Sequence, residues 1–371
     1  MKTAFLQETV NQNIGVMYLS SLLKAKGHRV ELFTVAQEAI LFRFRDKITH
    51  LILHVTTRCN FKCHHCFVDQ KDKTSELTLA EIDHIADELN DLIWLDIGGG
   101  EPFLRDDLHE ILGKFRACEY SIPTNGWSTE RILSSLGKIS EAIDLNRLIL
   151  TVSLDGFPKT HDDIRRHPGS FARARETYFL IRQHFPQLRI KFNTVLHNHN
   201  IQEIIPFMRM VQEEMQPAFH SILFLRGVPQ DSGYMLPSSQ EIYNLEEQLL
   251  SIQNKYHYGR KGLLSKVQKN YQAVKRDICN RIINQKEQII PCLAGQAHAV
   301  IYANGGVAPC ELLQEIGSVR EKPLKNILTS PEWKKAIRDI KSKKCYCTHD
   351  CNMLENVLYN FSLYPRFLFG S

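Results

Sequence analysis

No run of apolar residues in this chain approaches the roughly 18 that a membrane span needs. The N-terminal "MKTAFLQETVNQ" lacks the apolar core of a signal peptide. These two absences lead us to expect a cytoplasmic protein. Charge of one sign is also scarce, with a net charge of only +5 over 371 residues. That balance can favour an anionic substrate, but it is too small to argue for nucleic-acid binding. Low-complexity segments and internal repeats are missing too. What remains is ordinary for a globular chain, 43% hydrophobic and 23% charged, and long enough for a large core and more than one domain.

Cysteine, by contrast, is plentiful, at ten residues. A reducing compartment disfavours disulfides. Three cysteines crowd one short stretch, Cys59, Cys63 and Cys66, and five lie late, Cys292, Cys310, Cys345, Cys347 and Cys351. Cys118 and Cys279 stand apart and read as small buried hydrophobes.

From residue 48 to about 237 a β-rich run alternates with an amphipathic helix. The strands are "THLILHVT", "IWLDIGGG", "YSIPTNG", "LNRLILTVSLDG", "LRIKFNTVL" and "FHSILFLRG". Thr78 is placed to cap the first helix, "TLAEIDHIADELNDL". Six strands alternating with helices predict parallel βαβ units, hence an α/β fold with its ligands at the C-terminal strand ends. Those ends carry "TTRCNFKCHHC", "GGGEP", "TNG", "SLDG", "NTVL" and "LRG". They are polar, glycine-rich or cysteine-rich, and none serves a hydrophobic core.

The flanking segments read differently. Residues 1–47 suggest a small βαβ cap. It resembles the opening of a cobalamin-binding domain, but the Asp-x-His-x-x-Gly signature is missing, so the cap is read as structural. Residues 238–286 suggest a helical connection rich in Lys and Arg, read as a solvated helix face. Residues 287–371 hold the late cysteines.

A structural zinc ion takes four ligands. His54, His64 or His65 could complete such a set with Cys59, Cys63 and Cys66. Zinc loops usually bring cysteines in pairs two residues apart, which the three-residue gap after Cys59 does not match. An iron–sulfur cubane held by three thiolates, with one iron open to a non-protein ligand, is the better reading.

"CNFKCHHC" resembles the Cys-x3-Cys-x2-Cys loop of the radical SAM superfamily, and the other strand ends are similar to that family's motifs. The resemblance implies a partial (β/α)6 barrel, a [4Fe–4S] cluster on Cys59, Cys63 and Cys66, and S-adenosylmethionine (SAM) on the open iron. Reductive cleavage of SAM would give a 5′-deoxyadenosyl radical that takes hydrogen from a substrate. "GGGEP" resembles the Gly-Gly-Glu motif, so Gly99 and Gly100 would let the backbone approach the methionyl amine and Glu101 would pair with it. Ser153 and Asp155 of "SLDG" would lie near the ribose and the methionine carboxylate. Thr124 and Asn125 would line the pocket, with Asn193 and Thr194 on the next strand end. Arg165 would clamp the methionine carboxylate or serve as a surface charge. His65 would stand near the adenine.

Cys292, Gly305 and Cys310, with the hairpin "YANGGV" between them, resemble the start of a SPASM/twitch extension holding an auxiliary [4Fe–4S] cluster. "SPEWKKAIRDIKSKKCYCTHDC" resembles its helix and closing cysteines. Five late cysteines suit one cluster rather than two. A Cys-x-Cys pair chelates one cubane poorly through both thiolates, which favours Cys351 with either Cys345 or Cys347. Four thiolates would also suit zinc.

The expected function is hydrogen abstraction from a small polar substrate, a sugar or nucleotide derivative, ending in oxidation or epimerisation with help from the auxiliary cluster. One alternative is a maturase for a ribosomally made peptide. A non-catalytic iron–sulfur or zinc protein is the other. An electron donor such as flavodoxin or ferredoxin is implied, and neither nucleic acid nor membrane is expected as a partner. Arg226 at the sixth strand end reads equally as an anion-binding or a packing arginine. Cys118 or Tyr234 would be the hydrogen donor of an epimerase, though nothing favours either. The aromatic C-terminal stretch "NVLYNFSLYPRFLFGS" is expected to pack on the barrel or to dock a partner.

Overall fold

The computed structural model describes residues 47–68, 75–89, 91–258 and 262–369. Apart from Lys47, the cap expected over residues 1–47 lies outside them.

All six expected strands form: β1 His50–Thr56, β2 Leu92–Gly99, β3 Ala117–Thr124, β4 Leu148–Ser153, β5 Arg189–Leu196 and β6 Phe219–Phe224. Each pairs in parallel with the next, because a helix carries the chain back between them. These helices are α1 Leu79–Leu89, α2 Leu108–Lys114, α3 Thr129–Ala142, α4 Pro158–Arg165, α5 Ser170–His184 and α6 Ile204–Met210. Thr78 caps α1 as expected: its hydroxyl accepts from the Glu81 amide at 3.3 Å, and Glu81 accepts from the Thr78 amide at 2.7 Å.

The barrel does not close. The sheet has nine strands in the order β6-β5-β4-β3-β2-β1-β7-β8-β9, leaving β6 at one edge. β7 (His298–Ile301) pairs in parallel with β1, and β8 (Gly306–Ala308) and β9 (Gly317–Ser318) follow antiparallel. The late-cysteine segment therefore continues the same sheet. Gly305 sits at φ +91° in the β7–β8 turn, a conformation that suits glycine at the Asn-Gly step.

Two helices follow β6, α7 Ser239–Gln253 and α8 Gly262–Gln285. After β9 come α9 Leu324–Leu328, α10 Pro331–Lys341, α11 Asp350–Leu358 and α12 Tyr364–Phe369. The aromatic C-terminal stretch packs mainly on α8, through the Tyr271–Phe367 ring contact and an Arg366–Asp277 ion pair at 3.1 Å. Tyr359 reaches the barrel base, where its hydroxyl lies 3.3 Å from that of Thr49. No helix among the described residues is long and apolar enough to cross a membrane.

One core runs between the sheet and its helices, and β1 is buried along its whole length. Cys279 is buried as expected, but Cys118 is exposed. It is the second residue of β3 and shares a face with buried Tyr120 and Ile122, so its exposure comes from its place at the start of the strand and not from the strand's alternation.

Candidate radical SAM site and auxiliary cluster site

The C-terminal ends of the six strands enclose a cavity of about 250 Å³. Cys59, Cys63 and Cys66 line it, together with His65, Gly99, Gly100, Glu101, Thr124, Asn125, Ser153, Arg165 and Asn193. Asp155 and Thr194 do not reach its wall.

A register shift between His54 and Thr56 breaks the β1–β2 pairing as the cysteine loop begins. The loop is then tied on two sides. The His64 amide donates to the Ile164 carbonyl at 3.0 Å, and the amides of Gln230 and Asp231 donate to the carbonyls of Cys66 and His64 at 2.9 and 3.0 Å. Phe61 anchors it from below, stacked on His167 with ring centroids 4.4 Å apart.

Gly99 and Gly100 have a steric role that differs from the expected one. A Cβ on Gly99 would come within 2.1 Å of the Thr56 carbonyl oxygen, and one on Gly100 within 2.1 Å of that of Arg58. They let the end of β2 lie against the cysteine loop. The Gly100 amide donates to Thr56 at 2.8 Å and the Glu101 amide to Arg58 at 2.9 Å.

This close approach carries Glu101 into the cavity, 3% exposed. One carboxylate oxygen accepts from the Asn125 amide at 2.7 Å and the other from the Phe103 amide at 3.4 Å. Burial pushes its carboxyl up to about 7 against these bonds. Among the described residues no ion pair holds this carboxylate, Arg165 acting on it only through space, and an amine at this point would supply one. The Asn125 side chain is held between Asn60 at 2.7 Å and the Trp127 amide at 2.9 Å.

Asp155 is fully buried behind the wall and acts on Arg165, whose Nε donates to it at 2.6 Å. The other Asp155 oxygen accepts from the Val195 amide at 3.0 Å. Burial, the largest influence, opposes its charge, but Arg165, His65, His161 and the Val195 amide together hold the carboxyl well below the usual range. So the structure gives Asp155 the task of aiming Arg165, not of facing a ligand. Arg165 Nη1 also lies 3.8 Å from Cys63 Sγ. Burial pushes the Cys59 and Cys63 thiols up to about 12 and about 11, so their ionisation awaits a metal.

Two polar atoms at this wall, Nδ1 of His65 and Oδ1 of Asn193, are buried without a hydrogen-bond partner among the described residues. A polar ligand in the cavity would satisfy both. The residues present therefore suit a cubane on the three thiolates with SAM beside it: Glu101 toward the amine, Arg165 toward the carboxylate, His65 and Asn193 toward the rest.

The late cysteines gather at the other end of β1. His298 pairs with His50 at the start of that strand, and its imidazole lies against Cys310. Cys292 and Cys345 pack on the cluster of Ala294, Cys310 and Ile340. Cys347 lies within electrostatic reach of Cys292, Cys310 and Cys345. Cys351 packs on Ile52, Val300 and Ala308 beside Asp96, and shares His349 with Cys310. The structure thus sets both cysteines of the Cys-x-Cys pair near Cys310 and turns Cys351 toward the sheet. Burial opposes the Cys310 thiolate, but His298 and His349 hold that thiol down to about 5.

Among the described residues no three His, Cys, Asp or Glu side chains converge as ligands of a single ion. A cubane puts one thiolate on each iron, so its ligands stand farther apart than the four around one zinc.

Sequence reasoning missed a buried network in the barrel lumen. Glu311 accepts from His54 at 2.6 Å and from Arg226 at 3.2 Å, and it contacts His349. Its one signal was adjacency to Cys310. A second omission is the ring cluster over the cysteine loop. His64 stacks on Tyr234 at 5.1 Å and His65 on His197 at 5.8 Å. Nothing local in sequence marks these partners.

The Radical SAM superfamily model matches residues 53–211, and the SPASM iron–sulfur cluster-binding domain model matches residues 292–352. The chain is a radical SAM protein with a C-terminal SPASM domain, and membership of that class carries [4Fe–4S] clusters and SAM as cofactors. The Fe-coproporphyrin III synthase of Methanosarcina barkeri is 28% identical over 194 residues, 49% of this chain and 46% of the relative. A GTP 3′,8-cyclase of Synechocystis is 29% identical over 239 residues, 61% of this chain and 68% of the relative. The subtilosin biosynthesis protein AlbA of Bacillus subtilis is 23% identical over 294 residues, 76% of this chain and 60% of the relative. The chain thus spans about half the length of the first of these and under two thirds of the third. Streptococcus suis SuiB, solved with its precursor peptide SuiA, shares the fold with a TM-score of 0.59 at 16% identity, covering 91% of this chain and 74% of SuiB.

Proposed function

We propose that this chain is an enzyme that cleaves SAM reductively at the Cys59–Cys63–Cys66 cluster and takes a hydrogen atom from a small polar substrate. The observation that carries this is one cavity lined at once by the three thiolates, Glu101, Arg165 and two unpartnered polar atoms. Cluster and SAM together supply a 5′-deoxyadenosyl radical. The protein's part is to hold the methionyl end with Glu101 and Arg165 and to keep water out. In a net oxidation the hydrogen atom goes to the deoxyadenosyl carbon. An auxiliary cluster held by the late cysteines would supply the acceptor for the electron left on the substrate, with loss of a proton. A flavodoxin or ferredoxin would supply the first electron.

A peptide substrate is the second reading. It is supported by exposed Val228, Met235 and Leu236 on the segment that straps the cysteine loop, and by the likeness to AlbA and SuiB.

The test is anaerobic incubation of the reconstituted protein with SAM and dithionite. 5′-Deoxyadenosine should form with wild type and be absent with the Cys59/Cys63/Cys66→Ala variant. Its absence from fully iron-loaded wild type would refute the enzymatic reading.

A further inference from the structure

Arg226 follows β6 and lines the same cavity. Its guanidinium lies over the Phe67 ring, 4.9 Å from the centroid. One amino group donates to Glu311 at 3.2 Å. Its Nε is buried with no partner among the described residues. Arg189 and Arg276 keep a buried Nε of the same kind, but neither lines this cavity. Arg226 lines the cavity with its side chain 19% exposed, while one face is stacked and one corner is pinned. That is a guanidinium fixed in place for an acceptor that arrives from outside the chain.

Glu311 does not cancel this charge alone, because it is shared. His54 donates to the same carboxylate at 2.6 Å, and His349 contacts it as well. The carboxylate is thereby held among three basic side chains.

We propose that Arg226 is the substrate anchor of this cavity and that it takes an oxyanion, a carboxylate or a phosphate carried by the substrate. Glu311 positions it and competes with that anion for the same guanidinium. The inference deepens the proposed function and rests on it for the identity of the cavity. A forked, planar cation prefers such ligands because it can offer them two parallel N–H donors.

The competition predicts opposite effects for two variants. Isothermal titration of the reconstituted protein with inorganic phosphate, and separately with acetate, measures anion affinity. Wild type should bind one anion per chain. Arg226→Gln should weaken binding at least tenfold, and Glu311→Gln should tighten it several-fold. A merely structural pair would move both in the same direction. Iron content and melting temperature establish that each variant is folded. Preference for phosphate would mark a phosphorylated substrate, and preference for acetate a carboxylate. No binding to wild type, equal binding to wild type and Arg226→Gln, or weakened binding to Glu311→Gln would each overturn the proposal. 5′-Deoxyadenosine formation by the same wild-type preparation reports on the enzymatic reading separately. Anion binding without it would leave the Arg226 site standing and remove the radical function.

Discussion

Glu101 is a buried carboxylate that no ion pair holds among the described residues. Its folded value is raised to about 7, from about 4.3 for an unperturbed glutamate. The protonated form therefore favours the fold. The stabilisation it brings is complete below about 4.3 and fades as pH rises through about 7. Without cofactors, the protein should melt at a lower temperature at pH 8 than at pH 6, and Glu101→Gln should flatten part of that slope. SAM changes the sign of the demand, because its amine wants the carboxylate charged. Loss of a hydrogen bond to a charged group costs about 1.5–3 kcal/mol, so Glu101→Gln should bind SAM roughly tenfold to a hundredfold more weakly. Equilibrium dialysis of the cluster-loaded protein checks this, and unchanged affinity would remove Glu101 from the SAM site.

At the scale of elements, α11 is locked to the sheet by one carboxylate. Glu355 is fully buried and reaches His50 on β1 at 2.9 Å and His298 on β7. Burial opposes its charge, yet the two imidazoles hold its carboxyl down to about 2, and His50 and His298 are raised in return. The carboxylate's contribution is present above about 4.3 and lost as pH falls toward 2. The histidines' contribution is present below about 6.5 and lost as pH rises through their raised values. Glu355→Gln should cost about 3–5 kcal/mol, the usual penalty for removing one partner of a buried pair. The loss should be largest between about pH 4.5 and 6.5, and urea melts at pH 5.5 and 8.5 would measure the difference.

None of this strut was legible in the sequence, because Glu355 lies 305 positions from His50 and 57 from His298, and none of the three carries a local signature. The six strands and Thr78 were legible, since periodicity and capping are local. So were the cavity residues at strand ends, because parallel topology brings those ends together whatever lies between. What topology does not say is which way a side chain serves. Asp155 turned inward onto Arg165, and the two glycines serve the cysteine loop itself.

For the whole molecule, the iron inventory is the deciding number. Wild type should hold about eight irons after reconstitution, and the Cys59/Cys63/Cys66→Ala variant about four. The grouping of Cys292, Cys310, Cys345 and Cys347 separates the remaining cases. Cys347→Ala should lose about four irons and Cys351→Ala none, read by iron assay and electron paramagnetic resonance. Equal losses from both would place Cys351 among the ligands.

The bond between β7 and β1 has one more consequence. β7 and β1 are paired in one sheet, so the loops that carry the two cysteine groups spring from one slab. β1 is seven residues long, about 20 Å from end to end at roughly 3.3 Å per residue. Entry and exit are then matters for the free margin of β6 and the strap of residues 226–238.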